Sequence, residues 1–531
     1  MSAAAKRKYN SIGIIDIFAG PGGLGEGFSS FEPKPGSGVY PFRLGVSAEM
    51  ERSAHATLRL RAFYRSLRGR EGKMPKAYAE YLSAVAEGRA ATPENHFGEG
   101  SLRSLWAEAE AEALNLTLGI PSNNEALYKQ IEIAKRNHER MVLIGGPPCQ
   151  AYSLVGRARQ RNVVGFQTHG DHRHFLYREY LGILAKFTPD VFIMENVKGI
   201  LTSKVGGRNM FAAIQQDLSN PSQALGITNG RNSEKQEYVL LPIHVAANSS
   251  RKPEEVAADP TGFLIRCEDH GAPQARHRVI IMGVRADHAA KAFSAPGLDT
   301  VCERVTLCDA LLGLPKLRSG LSKEDDDAQR WANVVDKQRR HAIHALGKSE
   351  PAVRKRLEAV TPNARLPRKS IHYKGEITGF SSLLRSKEQQ FVLNHETRGH
   401  MDTDLGRYLF CAAFALEHSR SPTSTEFPTC LAPTHKNWDT GHFADRFRVQ
   451  VKGRASSTVT SHLSKDGHAF IHWDPTQCRS LTVREAARLQ TFPDDYLFLG
   501  NRTQQFVQVG NAVPPLVAQQ IAAVVWSIVS K

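Results

Sequence analysis

Apolar residues fall in short, separated runs through the first 290 or so positions of the chain. Ser11 to Phe18 (SIGIIDIF) is a β-branched run of strand length, and it stops at AGPGGLGEGF, where glycines open a turn into a helix. Arg43 to Ser47 reads as a second strand, followed by acidic Glu49 and a helix through Ala62. Met141 to Gly145, Asp190 to Met194 and Val279 to Val284 repeat the strand pattern. Such alternation predicts parallel strands joined by crossover helices, an α/β fold with a doubly wound, mostly parallel sheet.

The pattern also divides the chain. Phe63 to Ala113 is alanine-rich, charged and helical in character, an insertion with no chemistry of its own. After about Asp287 the alternation fades into basic, polar and irregular sequence. Order returns at Ser480 with LTVREAARLQTFP, a helix, and the chain ends in QVGNAVPPLVAQQIAAVVWSIV, a turn before an apolar helix. The division is therefore 1–286 for the α/β unit, 287–479 for a second, smaller domain, and 480–531 for a segment returning to the first.

Composition changes this picture in two places. The net charge of +16 is concentrated: Lys337 to Lys374 holds eleven basic residues against Glu350 and Glu358, nine of the sixteen net charges. A field of that density suits a polyanion such as nucleic acid, although a solvated basic face would look the same by charge alone. The seven cysteines include no CxxC pair, which points away from a disulfide framework or a structural zinc site and towards a reducing cytoplasm. With no leader-like start and no run of 18 apolar residues, the expectation is a soluble intracellular protein without a membrane partner.

Candidate chemistry gathers at the ends of the predicted strands. The glycine turn after Phe18 suits NAD, a flavin or S-adenosylmethionine, and Glu49 after the second strand suits the ribose of any of them. MVLIGGPPCQAYS ends a strand in two glycines and two prolines and then presents Cys149. A structural cysteine sits inside an apolar run; one displayed after a double proline at the sheet edge suits a nucleophile. DVFIMENVKGIL brings Glu195 to the same edge as a proton donor, and GAPQARHRVIIMGV places Gln274, Arg276 and Arg278 at spacings of two, predicting one shared face.

As a set in this order, DIFAGPGG, GGPPCQAYS, MENVKG, QARHR, SLTVREAARLQTFP and QVGNAVPP resemble the C5 cytosine-specific DNA methyltransferases, in particular bacterial enzymes of restriction and modification systems. The resemblance covers the first half and the last fifty residues, and 287–479 lies where that family keeps its target-recognition domain. It implies Cys149 as nucleophile, Glu195 as its acidic partner, and Arg276 and Arg278 bracing the flipped base and the active-site loop. For S-adenosylmethionine it implies Phe18, Gly20, Gly22, Gly23 and Leu24 in the glycine turn. Glu49 would hold the ribose, Met50 the adenine, and Pro148 and Asn511 would close the pocket. The family also has an acidic contact to the adenine amino group, which the resemblance does not place here, since Leu114 to Gln130 offers no aspartate.

The implied reaction is addition of the Cys149 thiolate to C6 of a flipped-out cytosine, Glu195 assisting at N3, followed by methylation at C5, with no metal. The partners implied are double-stranded DNA and, in function, a cognate restriction endonuclease; one active site with one recognition domain suffices for a monomer. The basic loop carrying Arg157, Arg159, Arg161 and Arg173 would close over phosphates, and HKNWDTGHFADRFRVQVKGRASSTVTSHLSKDG would supply base-reading side chains. The competing readings are an RNA cytosine methyltransferase on the same fold and a catalytically silent DNA-binding protein. An oxidoreductase explains the glycine turn and nothing else.

Overall fold

The computed structural model describes residues 11–71, 74–148, 176–205, 208–227, 237–243, 259–375, 377–433, 438 and 446–530. β1 (Ile12–Ile17), buried throughout, pairs in parallel with β2 (Phe42–Glu49). Beyond β2 lies β3 (Ala113–Asn115), also parallel. On the other flank β4 (Arg140–Gly145) and then β5 (Val191–Val197) continue the parallel set.

Beyond β5 the sheet turns antiparallel. β6 (Tyr238–Pro242) and β7 (Leu264–Arg266) both pair with β9 (His277–Arg285), which itself runs against β5. The order is β3-β2-β1-β4-β5-β9-β6, with β7 beside β9. Sequence alone made Val279 to Val284 one more parallel strand. Among the described residues from 259 on, no crossover helix precedes it: the chain enters β9 at the edge where β5 ends, through a short strand β8 (Gln274–Ala275). A polypeptide arriving there without crossing the sheet runs antiparallel.

Alternate residues of β1 supply the two faces of the core. Ile12 and Ile14 join α1 (Gly23–Ser30) and the terminal helix, whose Val517, Ala518, Ile521 and Val525 are fully buried. Ile15 and Ile17 join the opposite layer, built from α6 (Pro121–Asn137) and α7 (Leu176–Phe187).

α2 (Arg52–Glu71) overruns its expected end at Ala62 and becomes the base of the insertion, where α3 (Lys76–Ala86), α4 (Pro93–Phe97) and α5 (Arg103–Glu112) pack on it. Phe63, Tyr81, Phe97 and Trp106 form its core, joined by Leu393 and Leu497 from far along the chain. The insertion leads straight into β3, so it belongs to the sheet's edge.

A separate core unites α8 (Ala328–Leu346), α9 (Pro351–Glu358) and α10 (Asp402–His418) around Trp331, Tyr408 and Phe410. The basic residues singled out above sit here; Lys337, Lys348, Lys355 and Lys369 are exposed, while Arg354 and Arg356 lie against Glu358 and Glu417. A further core joins Leu307 and Ala310 to Val459, Leu463 and the helices α11 (Val483–Leu489) and α12 (Arg502–Asn511). Buried ion pairs stiffen it, Arg488 to Asp494 at 2.6 Å and Arg479 to Glu485 at 2.6 Å.

The last helix, α13 (Pro515–Val529), packs so closely on α1 that a Cβ at Gly27 would lie 2.3 Å from Ala518 Cβ and 2.6 Å from the Pro515 carbonyl. Gly27→Ala therefore forces the helices apart and should lower unfolding free energy by about 1–3 kcal/mol, read as a shifted urea midpoint. Acid acts on other groups. Burial pulls His395 down to about 4 and His472 to about 3, so both stay neutral in the fold while they charge near 6.5 when unfolded. Stability is fully present above pH 6.5 and should fall as pH drops towards 4; His395→Gln should flatten that slope in urea titrations at stepped pH.

Candidate active site

The turn after β1 is backbone-strained. Phe18 has φ 56°, with Gly20 at 58° and Gly22 at 95°. Glycine takes that region freely, whereas a bulky aromatic there persists only where its surroundings over-determine it, typically at functional sites. The Gly20 N–H donates to Glu49 Oε2 at 2.8 Å, and the Glu51 N–H donates to Glu49 Oε1 at 2.8 Å. Burial raises the Glu49 pKa above its ordinary value, opposed by these donors. Each oxygen retains a lone pair for a hydroxyl. A Cβ at Gly20 would meet nothing within 4 Å, so the backbone faces open space.

The opposite wall is built from the ends of β4 and β5. A side chain at Gly146 would begin 2.9 Å from Glu195 Oε2, so glycine is what lets the PP turn lie against that carboxylate. The Asn196 amide donates to the Pro147 carbonyl at 2.9 Å, tying the ENV segment to the PPCQ segment. Glu195 and Asn196 lie within the last three residues of β5 and do not follow it, because Ile280 and Val279 of β9 pair with them. Arg278 reaches Glu195 from β9, Nε to Oε1 at 2.8 Å.

The three QARHR side chains take different hydrogen-bond and ion-pair partners. Gln274 lies in β8, which pairs with β10 (Ser456–Ser457); its Oε1 accepts from Val459 N–H at 2.6 Å and its Nε2 donates to the Leu489 carbonyl at 3.1 Å. Arg276 is 1% exposed and donates from Nη1 to the Val459 carbonyl at 2.9 Å and the Gly510 carbonyl at 3.3 Å. Burial, helped by Arg278, pulls its pKa down to about 9. The break between β8 and β9 turns Arg278 alone towards Glu195.

A cavity of about 430 Å³ joins these walls. Phe18, Gly20, Gly23, Leu24, Glu49, Met50, Pro148, Glu195, Arg276, Arg278 and Asn511 all line it. Gly22 serves as the cap of α1. Gly23 meets the returning chain, since a Cβ there would sit 2.2 Å from the Val513 carbonyl. Cys149, the basic loop carrying Arg157, Arg159, Arg161 and Arg173, and most of HKNWDTGHFADR lie outside the described residues. Leu116 and Leu118, from the stretch without an aspartate, supply apolar wall, and Met50 is 61% exposed beside them. Sequence reasoning passed over Asp16, Asn196, Gln508 and Val513, which also line the cavity. Asp16 carried the one available signal, an acid inside the apolar run IIDIF.

Comparison with known proteins gives the same residues a family. The profile of the C-5 cytosine-specific DNA methylases matches residues 119–221 and 262–526. "Type II methyltransferase M.Bpa9945I" of Bacillus paralicheniformis is 31% identical over 97% of this chain and 99% of its own length. "DNA (cytosine-5-)-methyltransferase M.ApeKI" of Aeropyrum pernix is 25% identical over 72% of this chain and 80% of its own. A solved structure described as a DNA modification methyltransferase encoded within an E. coli prophage shows 19% identity and a TM-score of 0.49, covering 98% of this chain and 100% of that one. With the profile running through Pro148, Glu195, Arg278 and Asn511, and a relative that similar over nearly its whole length, the chain belongs to the C-5 cytosine-specific DNA methylase family.

Proposed function

We propose that the protein moves a methyl group from S-adenosylmethionine to C5 of cytosine within a specific duplex DNA sequence, as the modification enzyme of a type II restriction and modification system. The observation that carries this reading is the single cavity, which sets the Glu49 and glycine-turn edge against Glu195 and Arg278, with Pro148 on its wall and Cys149 the next residue in the chain.

The donor set fits the cofactor. Glu49 is held by two N–H donors with lone pairs left for the ribose diol, Gly20 leaves open space, and Phe18, Leu24, Met50, Pro148 and Asn511 bound the remainder. When bound there, S-adenosylmethionine supplies an electrophilic methyl group. The rest of the chemistry belongs to the chain. C5 of cytosine is a poor nucleophile, and addition of the Cys149 thiolate to C6 makes it an enamine carbon. Arg278 holds Oε1 of Glu195 at 2.8 Å and fixes the carboxyl at the strand edge; with a proton on its other oxygen, Glu195 donates at N3, where charge develops. Loss of the C5 proton and expulsion of the thiolate restore the aromatic ring. Cys267 is no rival, since burial pushes its thiol up to about 12.

The base must leave the stack to enter such a cavity, at a cost of a few kcal/mol that pocket contacts offset. The assignment of residues 1–286 and 480–531 to catalysis and 287–479 to target recognition accords with the separate core around Trp331 and the exposed basic helices beside it. Duplex DNA is the partner, a monomer suffices, and the setting is the bacterial cytoplasm with a cognate endonuclease as functional companion.

With tritiated S-adenosylmethionine, label should enter duplex DNA and not bulk tRNA, Cys149→Ala should abolish transfer, and Glu195→Gln should lower kcat by about 10²–10⁴. Label in tRNA alone would move the substrate to RNA. Glu49→Ala should weaken cofactor binding by roughly tenfold or more in calorimetry while leaving duplex affinity unchanged.

A further inference from the structure

Thr397, buried in the 287–479 segment, offers its backbone carbonyl to two arginines at once. Arg368 donates to it from Nη2 at 3.3 Å, and Arg502, the first residue of α12, from Nη1 at 3.0 Å. Two guanidiniums meeting on one carbonyl repel each other unless an anion lies between them. Each spends one N–H donor there, so most of the donor fork of both is left over. Arg368 is fixed in place: the Thr397 N–H donates to its carbonyl at 2.9 Å, and a Cβ at Gly320 would lie 2.7 Å from its Cζ. Arg502 is exposed at this surface and Arg368 partly so.

Among the described residues no carboxylate is given over to the pair. Asp326 is held through both oxygens by Arg318 at 2.9 Å and stands 3.9 Å from Arg368. Glu396 acts on Arg502 without forming an ion pair. Behind the pair Arg398 adds a third guanidinium, 4.8 Å over the Phe506 ring of α12 and donating to the Leu463 and Lys465 carbonyls. Burial, then Arg502, pulls its pKa down to about 10; Asp466, which opposes this, lies 3.4 Å from Arg446. Lys369 and Lys465 are exposed beside these arginines. So dense an excess of cations repels itself in the free protein, and an anion with several acceptor oxygens relieves it.

Helix α12 fixes where that anion lies. Gly510 and Asn511 at its far end line the cavity, and the eight residues from Arg502 to Gly510 span about 12 Å. The seat is therefore outside the cavity, at roughly the axial rise of three or four nucleotides of one strand. Arg368 and Arg398 come from 287–479 and Arg502 from 480–531, so the anion joins the two segments.

We propose that Arg368 and Arg502 seat a single backbone phosphate of the duplex a few nucleotides from the target base, with Arg398 as the positive field behind them, and that this phosphate clamps the recognition segment to α12. This rests on duplex DNA as the substrate. A phosphate is the group concerned because its oxygens accept from two guanidinium forks at once and every sequence carries it. The seat adds affinity and fixes register without reading a base.

The test is fluorescence anisotropy of unrelated duplex sequences at stepped salt. Arg368→Gln and Arg502→Gln should each weaken binding about tenfold, by the same factor on every sequence. In the double variant the slope of log affinity against log salt should fall by about one, the release from one phosphate, and the loss should be smaller than the product of the two single losses. Arg368→Lys combined with Arg502→Lys should keep the wild-type slope. All variants should bind S-adenosylmethionine as the wild type does in calorimetry, which separates a lost contact from a lost fold. An unchanged slope, a slope lowered by about two, or a loss confined to one sequence would overturn the proposal, as would a lysine pair that behaves like the glutamine pair. A wild-type protein that binds tRNA and not duplex DNA would instead refute the substrate reading on which the proposal stands.

Discussion

One guanidinium nitrogen, Nη1 of Arg276, sits between the carbonyls of Val459 and Gly510, and the cavity depends on that crossing. It joins the start of β9 to a loop nearly two hundred residues later and to the terminal turn that carries Asn511. Gln490 repeats the device, donating to the Val509 carbonyl at 2.7 Å and the Ala512 carbonyl at 3.3 Å. Gly510 shows how little slack remains, since a Cβ there would come within 2.3 Å of the Ser461 backbone nitrogen. The end of the chain is thereby fixed as a wall of a site whose floor was laid by its first strand. The same loop is tied to the start of β9, because Gln274 and Thr458 bind β8 to the segment around β10.

Around that constraint the site obeys two requirements in opposition. Close backbone approach is needed where a ligand or a turn meets a strand end, and glycines at 20, 23 and 146 allow it. Charge is needed in the same small volume, and it is held by geometry: Glu195 by Arg278, Glu49 by two backbone N–H groups. Asp16, on the wall of the same cavity, has neither carboxyl oxygen hydrogen-bonded among the described residues.

The sequence carried the parallel half of the sheet because its strands are β-branched runs ending in glycine, proline or acid, and those endings are the site itself. It missed β3, β6 and β7, which are short or polar and gain their strand character from pairing. It misread β9 because direction depends on how a chain arrives, and periodicity contains no direction. The spacing of Gln274, Arg276 and Arg278 suggested one face; it did not show that Gln274 and Arg276 would bond to the Val459 backbone while Arg276 and Arg278 line the cavity. Glu49 and Glu195, which line the cavity, stood out at strand ends, Glu195 only in company with the other motifs. The Gly510 contact with residues 460–461 did not, being long-range packing that no window of sequence contains.

The central claim is that a thiolate at residue 149 attacks a base brought to this cavity. Duplex DNA carrying 5-fluorocytosine tests it most directly, because fluorine at C5 cannot leave as a proton does and the adduct stays closed. After incubation with S-adenosylmethionine and denaturation, intact mass and peptide mapping should find one DNA strand bound per protein, on the peptide containing Cys149. Absence of a denaturant-resistant adduct under conditions of active methyl transfer, or an adduct on another residue such as Cys267, would contradict the account.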